Sequence, residues 1–371
     1  MECSGVKWVR LGDYIEQCDE RNTAGSNYPV IGINRDKTFM PTVANLDGVD
    51  IAKYKIVSKG MFVFSGMQTG RDICIRIGLY DKDQPALISP AYTTFFINKE
   101  NDVLPEYFFM YFNRDESDRY GWFISDSSVR ANLDWPRFLD IEIPLPSVAE
   151  QQKVVNAWRA FREIKEQNEA KAAPLMQLCQ SYIQELKHKY PMQEIGPYIH
   201  RIDERNTDNK IKEVRSVSVS KNFNATNAKV DKNNLSNYKI VRENQISFVQ
   251  TTGNEKCLCA AINHLGFPIV VTSVNEVFET DEKYLLADYL HLIFRRTETD
   301  RYARFNSWGS ARETFTWEDM TRFAIPLPSI EVQQAIVNIY KCANEAKQIA
   351  EEADRLSREV CPALLQHVIH S

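Results

Sequence analysis

Residues 143–155 read IPLPSVAEQQKVV and residues 325–337 read IPLPSIEVQQAIV. In each, prolines stop a short β-like run, a serine stands where a helix N-cap belongs, and a Gln-Gln pair opens a long helix-favouring segment. The two stretches lie 182 residues apart. A chain that leaves a domain twice by the same exit is a duplication, and an internal repeat constrains a fold more than any single motif does.

The repeat extends outward from these exits. LGDYIEQCDERN (11–22) matches IGPYIHRIDERN (195–206), and YKIV recurs at 54–57 and 238–241. RYGWFISDSSVRANLDW (119–135) aligns with RYARFNSWGSARETFTW (301–317), pairing Arg119 with Arg301, Tyr120 with Tyr302, Arg130 with Arg312 and Trp135 with Trp317. The offset falls from 184 to 182, so each copy spans about 183 residues with one small net length change.

Each copy has two parts. Residues 1–145 and 191–327 mix β-branched, alternating runs with turn residues and carry one amphipathic helix apiece, at 105–123 and 287–305. They predict two similar compact α+β domains. Residues 146–190 and 328–371 read as long helices. Ser147 with Glu150 forms a capping box; the second copy has Val332 at the matching place.

One heptad register fits both helices: Ile336, Ile339, Ala343, Ala346, Ala350, Ala353, Ser357, Val360, Leu364 and His367, and 182 residues earlier Val154, Ala157, Phe161, Ile164, Asn168, Lys171, Leu175, Leu178, Tyr182 and Glu185. That is the seam of a coiled coil. Asn168 and Lys171 interrupt it, either as a register-setting polar layer or as a surface pair. Pro174 and Pro362 should kink or restart the helices. Chain order makes the two helices, each roughly 60 Å long, run antiparallel between the domains. The expected product is a dumbbell with a pseudo-two-fold axis. Two similar readers at fixed separation suit a split target on a duplex, with half-sites about one helical turn, roughly 34 Å, apart.

Composition narrows the class. The 371 residues, 43% apolar, suffice for more than one core. No run of about 18 apolar residues could span a membrane. The start, MECSGVKWVRLG, lacks the pattern of a signal peptide, so a cytoplasmic location is expected. Eight cysteines (Cys3, Cys18, Cys74, Cys179, Cys257, Cys259, Cys342, Cys361) include no CxxC pair. Cys257, Cys259 and His264 lack a second pair to complete a zinc site, and read as buried thiols beside a surface histidine. The net charge of −5 divides unevenly: 16 basic against 21 acidic residues over 1–145, 7 against 5 over 146–190, 18 against 18 over 191–327, and 4 against 6 over 328–371. This balance permits a basic face but argues against strong non-specific DNA affinity by the chain alone.

With IPLP and Gln-Gln (Gln151, Gln152; Gln333, Gln334) present twice, each after a duplicated α+β region and before a heptad helix, the whole chain resembles the specificity subunits of type I restriction–modification systems. The resemblance implies a non-catalytic DNA reader without cofactor or metal. Its two target-recognition domains would each bind half of a bipartite site on double-stranded DNA. Its helices would act as a ruler and dock two DNA-adenine methyltransferase subunits, and the assembly would recruit restriction/translocase subunits. The residues agree. There is no Gly-rich phosphate loop with Lys-Ser/Thr, no Asn/Asp-Pro-Pro-aromatic tetrapeptide, and FSGMQTG (64–70) lacks the context of a cofactor loop. Asp281-Glu282-Lys283 reads as a solvated charge run. Two other classes stay open: a scaffold bridging two protein partners without reading DNA, and a self-sufficient methyltransferase.

Matched residues should hold scaffold or phosphate, and unmatched ones should read bases. SGMQTGRD (65–72) and VQTTGNEK (249–256) supply base-edge candidates: Gln68, Thr69 and Arg71, and Gln250, Thr251, Thr252, Asn254 and Lys256. An ordinary solvated turn is the alternative. Arg130 and Arg312 match, which suits a phosphate or scaffold contact, as do Lys37 and Lys221, which could reach the DNA backbone. Trp135 and Trp317 read as core. Arg295, Arg296, Arg301 and Arg304, with Phe294, Tyr302 and Phe305, line either a phosphate path or a solvated helix face. The shared Asp-Glu-Arg-Asn (19–22, 203–206) reads first as an internal ion-pair turn and second as a polar dock.

Overall fold

A computed structural model describes residues 6–67, 69–126, 128, 131–226, 229–251, 257–309 and 313–370, with backbone only at 70, 71 and 370. The chain is α+β and forms two compact units: residues 1–167 with 349–371, and residues 168–348. Each unit thus contains one mixed α+β region and parts of both long helices.

In the first unit the described strands are β1 (Lys7–Arg10), β2 (Ile15–Cys18), β3 (Val30–Ile33), β4 (Phe39–Pro41), β5 (Lys55–Val57), β6 (Phe62–Ser65), β7 (Arg76–Leu79), β8 (Ala86–Ile88), β9 (Thr93–Ile97) and β10 (Glu142–Leu145). An antiparallel sheet runs β2-β9-β6-β7, a mixed sheet runs β4-β3-β8-β5 with β3 and β8 parallel, and β1 pairs with β10. The period of two places β6 between two cores. Phe62 and Phe64 face Phe95, Tyr107, Phe108 and Phe138, while Val63 faces Ile33, Val57 and Ile88.

The second unit repeats the plan with β11 (Met192–Glu194), β12 (Ile199–Ile202), β13 (Arg215–Val217), β14 (Phe223–Ala225), β15 (Lys239–Val241), β16 (Ile246–Val249), β17 (Ala260–Ile262), β18 (Ile269–Val271), β19 (Asn275–Thr280) and β20 (Ala324–Pro326). Its main sheet, β12-β19-β16-β17, has the order of β2-β9-β6-β7, and β11 pairs with β20 as β1 does with β10. The duplication is one of topology as well as sequence.

The helices are α1 (Thr69–Asp72), α2 (Pro105–Phe112), α3 (Asp115–Ile124), α4 (Trp135–Leu139), α5 (Val148–Lys189), α6 (Ala287–Phe294), α7 (Thr297–Phe305), α8 (Trp317–Thr321) and α9 (Ile330–His370). The single helices expected at 105–123 and 287–305 are each broken in two. Arg114 and Arg296 adopt extended backbone at the break. Ser117 Oγ and Thr299 Oγ1 donate at 2.6 Å to the carbonyls of Tyr111 and Ile293, closing the end of the preceding helix. The break lets α2 and α6 bury Tyr107 and Tyr289 completely, each hydroxyl donating at 2.9 Å to the Pro144 or Pro326 carbonyl.

The two prolines expected to interrupt the long helices do not: α5 and α9 run continuously through Pro174 and Pro362. The carbonyls each proline leaves unbonded belong to the exposed Ala170 and Arg358, where water can satisfy them. The seam on α9 is as expected through Ala353, with Ile336, Ala343, Ala346, Ala350 and Ala353 buried; beyond it burial moves one residue on, to Cys361, Leu365 and Val368, and His367 is exposed. On α5 it lies one residue on from half of its expected positions. Ile164, Lys171, Leu178 and Glu185 are exposed, whereas Trp158, Cys179 and Leu186 are buried and Lys165 and Ala172 half-buried. Ala157/Trp158 and Leu178/Cys179 are apolar at both candidate positions, and at 164/165 the lysine is the more buried of the two, so apolarity alone did not fix the register on α5. Among the described residues, no helix is long and apolar enough to cross a membrane.

Candidate nucleic-acid interface

In the first unit β6 runs out at Ser65, and the next residue, Gly66, passes so close to the opposite loop that a Cβ there would lie 1.7 Å from the Leu133 carbonyl oxygen. The Leu133 N–H donates to the Gly66 carbonyl at 2.9 Å. Thr69, at the start of α1, is buried; its hydroxyl lies 2.8 Å from Ser125 Oγ and donates to the Ala131 carbonyl. Asp126 Oδ1 accepts from the Asn132 N–H at 2.9 Å and the Ser128 N–H at 3.1 Å. The hydroxyl of Ser128 and these backbone donors hold its carboxyl below the usual range. The described residues of two separate sequence candidates, 65–67 and 69–72 on one side and 125, 126, 128 and 131–133 on the other, thus form one loop pair.

The second unit builds its counterpart by different bonds. The Phe315 N–H donates to the Gln250 carbonyl at 2.8 Å, and Thr251 bridges to Thr314, which bridges to Trp308. Residues 249–251 are therefore joined to Trp308, Thr314 and Phe315 as well. Gln250 donates through Nε2 to Glu276 Oε1 at 2.6 Å. Glu276 is buried, and burial opposes its ionisation; hydrogen bonds from Arg201 and Lys239 outweigh this and hold it below the ordinary glutamate range.

Several expected contacts are corrected. Lys37 and Lys221 do not reach outward to a DNA backbone. Each sits at a hairpin tip with positive φ, +59° and +62°. Each turns its ammonium inward, Lys37 to Asp118 at 2.8 Å and the Phe112 carbonyl, Lys221 to Asp300 at 2.7 Å and the Phe294 carbonyl. The same carboxylates accept the backbone N–H of Ile75 (2.8 Å) and Leu258 (3.0 Å), where the chain returns from the first loop of each pair. The shared lysines are thus scaffold that anchors a loop. Burial keeps the Asp118 carboxyl above its usual range, against the pull of Lys37. Thr69 is likewise interior, and Gln250 is engaged by Glu276; Thr251 alone of the described candidates is exposed. Gln68, Arg130, Thr252, Asn254, Lys256 and Arg312 lie outside the described residues, and of Arg71 only the backbone is described.

The shared Asp-Glu-Arg-Asn motif is an internal turn. Arg21 binds Asp19 at 2.7 Å and the Lys53 carbonyl at 2.7 Å, and Arg205 binds Asp203 at 2.7 Å and the Asn237 carbonyl at 2.9 Å. Trp135 packs on Phe64, Phe95 and Phe138, and Trp317 on Phe278, both half-buried at the edge of the core clusters. In the Arg-rich stretch, Arg295 holds Asn222, Arg296 holds Glu298 and Gln184, and Phe294 is core. Arg301 and Arg304 are exposed and unpaired among the described residues. Sequence reasoning passed over Phe123, equivalent to Phe305; only the solvent exposure of both rings singles it out. Among the described residues no group of His, Cys, Asp and Glu could hold a metal ion.

No family model matches the chain, and no curated protein does. Among solved structures, the crystal structure of a type I restriction–modification system S subunit from M. genitalium superposes with a TM-score of 0.64 at 11% identity, over 100% of this chain and 97% of that one. An HsdS subunit from Thermoanaerobacter tengcongensis aligns at TM-score 0.39 and 15% identity, over 99% and 97%. A chain from a study of complex assembly and conformational transition of the type I R-M system aligns at 0.42 and 13%, over 99% and 98%. The first likeness establishes that this chain has the fold of a type I restriction–modification specificity subunit.

Proposed function

We propose that the chain is the DNA sequence-specificity subunit of a type I restriction–modification complex. It has no catalysis of its own. It reads a bipartite duplex target, one half with each unit, and docks adenine-methyltransferase subunits, to which restriction/translocase subunits join. Such a role places it in the cytoplasm. The observation that carries this reading is the duplicated loop pair: one scaffold, repeated, presents segments whose sequences diverge at matched positions. Two readers of two different half-sites need a shared frame and unshared tips. The fold likeness supports the same reading, and two continuous helices of 42 and 41 residues suit a ruler.

The excess of acidic residues over 1–145, 21 against 16, favours a second reading, a scaffold bridging two protein partners. Co-expression with a candidate adenine methyltransferase in a host lacking adenine methylation, followed by genome-wide mapping of methylated bases, separates the two. The DNA reader yields two short sequence blocks around a fixed unspecified gap. A stable co-purified complex that adds no methylation sinks that reading and leaves the scaffold.

A further inference from the structure

Phe123 and Phe305 are 81% and 84% exposed, more than any other aromatic side chain among the described residues. They occupy the same place in the repeat: the last turn of α3 in RYGWF and the end of α7 in RYARF. Burying a phenylalanine is worth about 2 kcal/mol, so leaving one in water at matched positions of two diverged copies asks for a reason. Four residues earlier on the same helix face stand Arg119 and Arg301, both exposed and in no ion pair among the described residues. Arg304, also exposed and unpaired, adjoins Phe305.

The other face of each helix is packed. A Cβ added at Gly121 would lie 2.4 Å from Ile75, and its counterpart Ala303 is fully buried. The arginine and phenylalanine are therefore held outward by the scaffold. Each pair also adjoins its loop pair. Two residues past Phe123, Ser125 Oγ lies 2.8 Å from Thr69 Oγ1, and three past Phe305, Trp308 bridges to Thr314.

We infer that Arg119 with Phe123, and Arg301 with Phe305, form a sequence-independent DNA clamp beside each reader. The guanidinium takes a backbone phosphate, and the ring packs against the sugar and base edge of the adjoining step, as apolar wedges do at duplex steps. The inference rests on the proposed DNA-reading function. Duplex DNA fits better than a protein partner because these arginines form no ion pair among the described residues, the aromatics lie next to the divergent loops, and both features are repeated once per reader. Residues identical in both copies cannot distinguish two half-sites, so the clamp sets affinity and leaves the sequence read to the loops.

The test uses the full chain assembled with the methyltransferase subunit that co-expression identifies, and a labelled duplex carrying the methylated motif. Anisotropy titrations at several salt concentrations compare wild type with Phe123→Ala/Phe305→Ala and with Arg119→Gln/Arg301→Gln, after thermal melts have checked folding. The phenylalanine variant is expected to lose about tenfold or more in affinity with its salt slope unchanged. The arginine variant is expected to lower that slope by about 2, close to one per phosphate contact. Both should methylate the unaltered motif. Unchanged affinity and slope in both variants would overturn the clamp alone. So would a changed motif, which makes these residues base readers, or loss of the methyltransferase subunit, which makes the surface a protein dock. If wild type produces no motif at all, the proposed function falls, and the clamp with it.

Discussion

A lysine at a hairpin tip is ordinarily among the best-solvated residues of a domain, yet Lys37 and Lys221 turn inward from left-handed backbone that disfavours a side chain. What holds them is an ion pair with almost no solvent on the lysine side, 3% and 6% exposed. Replacing Lys37 or Lys221 with methionine strands a half-buried carboxylate and should cost about 3 kcal/mol. For a unit this size that is a fall of roughly 6–12 °C in melting temperature, by calorimetry. A melting curve that does not move would show that the pair is not structural. The match between the two lysines was visible in the sequence, but identity at matched positions reports a constraint and not its kind. Which way a side chain points depends on the carboxylate facing it, 81 or 79 residues away. His264 offers a test in pH. Its hydrogen bond with Asp288, 2.6 Å, raises its pKa. For Asp288, burial opposes ionisation, but His264 and Lys341 bring it down to about 2. A raised histidine contributes fully below its unfolded value near 6.5, and that contribution is lost as pH rises through the folded value. A lowered aspartate contributes above about 3.9 and loses it toward 2. Stability from this pair should therefore be greatest between about pH 4 and 6.5. Urea titrations of His264→Gln should show the decline on the alkaline side flattened, and an unchanged pH profile would remove His264 from the account.

At the scale of elements, the Gln-Gln pair that announced the repeat divides into two unlike residues. Gln151 is fully buried, accepting from the Leu104 N–H at 2.9 Å and donating to the carbonyls of Asp102 (2.8 Å) and Pro146 (3.0 Å). Gln333 does the same for Leu286, Tyr284 and Pro328. Each stitches the start of a long helix to the loop before α2 or α6. The second glutamines reach only Asn156 and Asn338 on their own helix surface. Gln151→Leu should cost about 2–3 kcal/mol through three orphaned backbone groups, and Gln152→Ala less than about 0.5, by urea denaturation. Equal costs would refute this division of labour. The motif's presence was legible because both copies carry it. Its inequality was not, because burial on the first turn of a helix depends on what packs there. The seam shows the same limit. Alanines every three or four residues marked it on α9 as far as Ala353, whereas on α5 adjacent apolar pairs such as Leu178 and Cys179 and the half-buried Lys165 blurred the contrast, and half of its positions shifted by one. Ala353→Leu should then overpack and cost about 1–3 kcal/mol, while Ile164→Gln, on the exposed side, should be nearly neutral.

For the whole molecule, the duplication decides most of what the sequence could say. Two copies with the same strand order, the same Tyr-to-carbonyl latch and the same lysine anchor need the same residues twice, and those identities were readable in one chain without relatives. The candidate loops were not, because segments that diverge between the copies leave no internal match to find. If the chain is the specificity subunit proposed, the helices set the gap between half-sites and the loop pairs set their sequences, so the two properties should be separable. Inserting seven residues into both α5 and α9 preserves a heptad register and lengthens each helix by roughly 10 Å. At about 3.4 Å per base pair, that adds about three unspecified base pairs to the methylated motif, while both sequence blocks stay the same. Mapping methylation in cells that carry the extended chain with its methyltransferase partner reads both properties in one experiment. A gap of unchanged length would take the ruler role from the helices. An altered block would mean that helix length also governs how the loops meet the bases, and the separation of spacing from sequence would fail.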